Sequence, residues 1–188
     1  MTTIVVSKKA GQIVIAADKL TTFGDTRLSS KYEANPKIFK VGDTYIGIAG
    51  SSAHHQVVEA ALKKLEGAKF GSKDEIFDTF VRLHPQLKEQ FFLNSKEDDD
   101  DPYESSQYTI LMANASGIYG VYSYREVFEF DRFWAIGSGR AFALGAMFAT
   151  YDKKTATAKE VATIGVNAGI EFDKNSAGPF AMFTVKAR

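Results

Sequence analysis

Apolar residues open the chain in two short runs rich in valine and isoleucine, 3–8 and 12–18, separated by Lys9-Ala10-Gly11. Runs of this kind around a glycine break predict a β-hairpin whose first strand starts at the N-terminus. In the second run Ile13-Val14-Ile15-Ala16-Ala17 is almost continuously apolar, the pattern of a strand covered on both faces. Asp18 ends it. Residues 19–36 are polar, carry Gly24 and Asn35-Pro36, and predict a loop with one short strand. Lys37-Ile38-Phe39-Lys40 is strand-like, Val41-Gly42-Asp43 is a turn, and residues 44–49 form the next strand. Gly50-Ser51-Ser52 then leads into a helix with Ser51 or Ser52 as N-cap and Val58, Leu62 and Leu65 as its apolar stripe.

Ser72-Lys73-Asp74-Glu75 has the form of a capping box and opens a second helix, with Ile76, Phe80, Leu83, Leu87 and Phe91 at helical spacing. Pro85 is expected to kink or split it. His84 lies beside that stripe, and His54, His55 and His84 all read as structural. Residues 107–114, 117–123 and 126–130 predict successive antiparallel strands, and residues 133–136 one more. Gly137-Ser138-Gly139 leads into a helix over 141–149 that is apolar almost all round, as expected for burial between layers or against another subunit. Thr157-Ala158-Lys159-Glu160 is a second capping box, and its helix runs to about Phe172. After the polar turn 173–178, residues 179–186 form a last strand. Strands, two helices, strands, two helices and a strand imply sheets with helices packed outside.

Composition narrows the function classes. The 188 residues fit one domain, 1–188, with no repeat, linker or composition break. Lysine plus arginine and aspartate plus glutamate both number 23, a balance that argues against a nucleic-acid or membrane surface. No cysteine is present, which removes disulfides and a thiolate nucleophile. There is no membrane-spanning run and no signal peptide, so a cytoplasmic protein is expected. The acidic run from Glu97 to Asp101, ending at Pro102, reads as a solvated loop rather than a cation site.

The chemistry starts at Thr2. If Met1 is removed, Thr2 carries a hydroxyl that can attack a carbonyl and an α-amine that can take its proton. An α-amine titrates near pH 8, so a useful fraction is neutral near pH 7. An N-terminal threonine is therefore a nucleophile and base in one residue. The opening Thr-Thr-Ile-Val, the strand ending Ala-Ala-Asp, Ala-Gly-Ser-Ser at the first helix, Ala-Ile-Gly-Ser-Gly, and Asp-x-x-Ser followed by Gly occur in this order. As a set they resemble the proteasome β-subunit family of N-terminal-nucleophile hydrolases, including bacterial HslV, over Thr2 to about Gly178.

That resemblance implies an α+β fold, a four-layer αββα sandwich with Thr2 in the cleft between the sheets. It implies Thr2 as nucleophile, Asp18 as the partner of a lysine, and Gly50 as oxyanion donor. The lysine is Lys37, with Lys31 as a rival because the preceding loop is longer than in HslV. Ser138, Asp173 and Ser176 would hold the terminal amine, although Ala177 interrupts the commoner Ser-Gly sequence. Thr22, Asn35 and Ile48 would line the substrate site, with hydrophobic side chains preferred before the scissile bond. The implied activity is a threonine endopeptidase on unfolded polypeptide, in a homo-oligomeric double ring of six- or sevenfold symmetry. An ATP-dependent unfoldase is the implied partner, and no cofactor or metal is needed. A catalytically silent ring scaffold and an amidase of the same superfamily remain as alternatives.

Overall fold

A computed structural model describes residues 2–32, 36–96 and 98–188. The opening hairpin forms as the pattern predicts, from β1 (Thr3–Lys9) and β2 (Gln12–Asp18). A small two-stranded sheet follows, β3 (Thr21–Phe23) paired with β4 (Thr26–Leu28), where the sequence suggested one strand. Next come β5 (Ile38–Val41), β6 (Thr44–Ala49), α1 (Ser52–Lys64) and α2 (Lys73–Phe91). The second half contributes β7 (Thr109–Ala113), β8 (Ile118–Val121), β9 (Val127–Phe130) and β10 (Phe133–Gly137). It closes with α3 (Arg140–Tyr151), α4 (Ala158–Phe172) and β11 (Phe180–Lys186).

Two antiparallel sheets face each other. One has the order β10-β1-β2-β11, the other β5-β6-β7-β8-β9. Alternation along the strands divides the core into three sheets of side chains. Ile4, Val6, Ile13, Ile15 and Ala17 meet Leu111, Ala113 and Ile118 between the sheets. Val5, Val14 and Ala16 point the other way, onto Ala143, Met147, Val161 and Val166 of α3 and α4. On the far side Ile46, Ile48, Ile110 and Met112 meet Val58, Leu62, Phe80 and Leu83 of α1 and α2. Helices, sheet, sheet, helices is the expected αββα order. Gly47 allows the sheets to close, because a Cβ there would stand 2.9 Å from Ile4 Cγ2.

Two local expectations need correction, and a third is narrowed. Ser72 accepts from Glu75 N–H at 3.3 Å, but the Glu75 carboxylate turns to Gly71 N–H at 2.9 Å, so the reciprocal half of that capping box is not made. The Thr157–Glu160 box is complete. Pro85 does not split α2. It sits on the exposed side of a helix anchored on its other face by Ile76, Phe80, Leu83 and Leu87. Finally, α3 lies in an outer layer and buries Ala143, Met147 and Thr150, while Phe142 and Phe148 remain exposed, so its uniform hydrophobicity is not explained by contacts within this chain.

Candidate active site

Asp18 is the centre of the cleft. It ends β2, is fully buried, and takes five hydrogen bonds. Its Oδ1 accepts from Thr2 Oγ1 at 2.6 Å, Thr3 N–H at 2.9 Å and Lys37 Nζ at 2.8 Å. Its Oδ2 accepts from the backbone of Leu20 at 3.0 Å and of Ala177 at 3.2 Å. A carboxylate without water is tolerable only with such a shell. Ala177, the residue that departs from the family pattern, is thus one of the donors, and its carbonyl accepts from Lys19 N–H at 3.3 Å.

Lys37 stands just before β5 and is buried. Burial lowers its pKa below the ordinary lysine value, while the charges of Asp18 and, more weakly, Asp173 pull it back up. Lys31 is exposed on the preceding loop, and its N–H turns to Ser29 Oγ at 3.4 Å. Of the two lysines, Lys37 is the one the structure brings to Thr2 and Asp18. The Thr2 hydroxyl and the Lys37 ammonium share one oxygen atom, so the hydroxyl lies in the field of a desolvated cation.

A second cluster abuts the main chain of Thr2. Ser138 Oγ donates to Asp173 Oδ2 at 2.6 Å, and Ser176 Oγ donates to the same oxygen at 2.7 Å. Burial works to raise the Asp173 pKa, but hydrogen bonds from Ser138, Ser176 and Asn175 outweigh it and hold the carboxyl below its usual value. Each serine has one proton and gives it to the carboxylate, which leaves only lone pairs free on each serine oxygen. Ser138 Oγ is 3.4 Å from Thr2 O, and Gly139 N–H donates to that carbonyl at 3.3 Å. Gly137 is at φ 89°, and a Cβ on it would fall 2.1 Å from Thr2 O. Only glycine lets the end of β10 come this close.

Thr2 and Lys37 open onto a cleft of about 580 Å³, continuous with solvent, that is also lined by Leu20, Thr22, Ile48 and Gly50. Gly50 immediately precedes Ser51, the N-cap of α1, whose hydroxyl accepts from His54 N–H at 3.2 Å. The positive end of the helix dipole therefore lies beside the cleft. A Cβ on Gly50 would press to 3.2 Å from Gln107 O. Thr22 pairs with Arg27 across the β3–β4 hairpin at the rim. Asn35 lies outside the described residues. His55, read from sequence as a structural residue, also lines this cleft, with its ring edge-on to Phe39 at 5.4 Å. Burial holds it below the ordinary histidine pKa, and so neutral near pH 7. No spacing rule pointed to it, because it reaches the cleft only through the packing of α1 on β5.

Elsewhere, Asp101 of the acidic loop accepts from Ser105 and Tyr124, and Glu97 lies outside the described residues. Among the described residues no cluster of His, Asp and Glu could hold a metal ion, and no helix is long and apolar enough to cross a membrane.

Comparison with known proteins gives a consistent picture. The family model described as proteasome subunit matches residues 1–185. The chain is 28% identical over 152 residues to the ATP-dependent protease subunit HslV of Bartonella quintana, covering 80% of this chain and 72% of that protein. The structure of Thiobacillus denitrificans BPH in complex with epoxomicin superimposes with a TM-score of 0.91 at 38% identity, over 99% of both chains. Eukaryotic HslV from Trypanosoma brucei shares the fold, with a TM-score of 0.70 at 19% identity over 98% of this chain and 99% of that one.

Proposed function

Because the chain belongs to the proteasome subunit family, we propose that it is a threonine-type endopeptidase with Thr2 as its nucleophile once Met1 has been removed. The observation that carries this reading is the convergence of the Thr2 hydroxyl and the Lys37 ammonium on Asp18 Oδ1. The freed α-amine takes the proton from Thr2 Oγ1, and Oγ1 attacks the peptide carbonyl. Lys37, held charged by Asp18, favours the developing alkoxide and keeps the neighbouring amine neutral by like-charge repulsion. Ser138 and Ser176, their protons committed to Asp173, accept from the amine N–H groups and aim its lone pair at Oγ1. The N–H of Gly50 stabilises the oxyanion, a contribution of roughly 3–4 kcal/mol for one such donor. Collapse passes the amine's proton to the leaving nitrogen and leaves an ester on Thr2. Water, activated by the same amine, hydrolyses it.

The substrate is an extended polypeptide that adds a strand along Thr22. Its side chain before the scissile bond rests against Leu20 and Ile48. Copies of the chain form a stacked double ring, cytoplasmic and homo-oligomeric. An ATP-dependent unfoldase feeds it, by analogy with the Bartonella relative. Thr2→Ala is the test. Hydrolysis of a fluorogenic peptide panel should vanish while the particle mass by light scattering is unchanged. Full activity in that variant would remove Thr2 from the mechanism.

A further inference from the structure

Thr3 has no part in the chemistry just described, yet its contacts join the two clusters of the site. Its side chain fills a slot between the turn that opens α3 and the middle of α4. A Cβ on Gly139 would lie 1.9 Å from Thr3 Oγ1, and one on Gly169 would lie 2.3 Å from the same atom and 2.4 Å from Thr3 Cγ2. Two glycines from different elements therefore form the hole that this side chain occupies. In it, Thr3 Oγ1 stands 2.8 Å from Ser176 Oγ.

The proton directions follow from the acceptors. Asp173 is ionised and can only accept, so Ser176 gives it the single Oγ proton. The Thr3 hydroxyl must then be the donor to Ser176. The result is a one-way chain, Thr3 to Ser176 to Asp173, which Ser138 joins from the other side. The main chain of Thr3 completes the picture. Its N–H donates to Asp18 Oδ1 at 2.9 Å, and the carbonyl of the same peptide group, Thr2 O, accepts from Gly139 N–H at 3.3 Å. The 2–3 peptide plane is thus gripped at both polar ends. The amine and the hydroxyl of Thr2 swing about the bonds just ahead of that plane.

We propose that Thr3 is a positioning residue for the nucleophile: its hydroxyl, seated between Gly139 and Gly169, locks Ser176 and the 2–3 peptide plane so that the freed Thr2 amine and hydroxyl face each other. The inference rests on the protease reading above. Its consequence is specific, because a hydroxyl that only fills space could be replaced by a methyl of the same shape.

The test compares Thr3→Val, Thr3→Ser and wild type, each with Met1 removed as verified by mass, on one fluorogenic peptide. Thr3→Val keeps the volume and loses the donor. Its kcat should fall about tenfold, the size expected for one buried neutral hydrogen bond, with KM within about twofold of wild type. Thr3→Ser keeps the donor and should recover most of kcat. An active wild type with Thr3→Val equal to it, or with Thr3→Ser as impaired as Thr3→Val, would overturn the inference alone. If Thr3→Val fails to fold, Thr3→Ala against Thr3→Ser decides in the same way: a low Ala and a recovered Ser support the role, and equal values overturn it. A wild type with a free Thr2 that cleaves nothing would instead overturn the protease reading, and this inference with it.

Discussion

Burial lowers the pKa of Lys37, and Asp18 opposes the shift without cancelling it. The account needs Lys37 charged, so the alkaline limb of kcat should fall below the ordinary lysine value of 10.5. Asp18→Asn removes the charge that raises this pKa, so it should move the limb further down and reduce kcat; an unmoved limb would remove Lys37 from the titration. Stability takes the opposite sign. Between the lowered pKa and 10.5 the unfolded chain holds a proton that the folded chain has lost, so the contribution of Lys37 to stability rises with pH across that window. At this scale the sequence was informative where chemistry sits in short linear motifs. Thr2, Asp18, Ser138, Asp173 and Ser176 were named from such motifs, Lys37 was named through the resemblance with Lys31 as its rival, and the structure brings Lys37 rather than Lys31 to Thr2 and Asp18. Thr3, Ala177 and His55 were not named from motifs, because what they do depends on partners supplied by the fold, such as Ser176 for Thr3.

Helix α2 shows how an element can override a local rule. Pro85 has no N–H to give to the carbonyl of Val81, one turn back, and its ring crowds that turn. The helix nevertheless runs unbroken from Lys73 to Phe91, capped by Ser72 and held by a buried stripe. Packing outweighs the local cost. Pro85→Ala, on the exposed side of the helix, should therefore stabilise the chain by about 1–3 kcal/mol in urea unfolding. A loss of stability would mean that the proline serves a contact beyond this chain. The elements were legible because apolar spacing is helical in α1 and α2, and because short apolar runs bounded by turn residues mark the opening hairpin and α3. The Ser72 box was over-read: Gly71 supplies a competing N–H, and sequence gives no way to rank the two. The strand pair over 21–28 was under-read because three-residue strands carry too few side chains to show a period.

At the scale of the whole molecule, the alternation of helices and strands placed helices outside sheets, and the order of the four layers came from the family resemblance. It could not show that β1 pairs with β10 or that β11 closes the sheet beside β2. Those pairings bring residues from both ends of the chain to one place, and they are what set Gly137–Gly139 and Asp173–Ala177 around Thr2. The fold therefore encloses Thr2 on several sides, and in the proposed mechanism removal of Met1 puts a hydroxyl and an α-amine together at that place. Everything in the proposed mechanism follows from that amine being free. The most direct measurement is the intact mass of the chain in a preparation that hydrolyses peptides, purified from its native cell. The account predicts a chain lighter by one methionine residue, beginning at Thr2. An active preparation that quantitatively retains Met1 would contradict it, because the nucleophile's own base would then be an amide nitrogen.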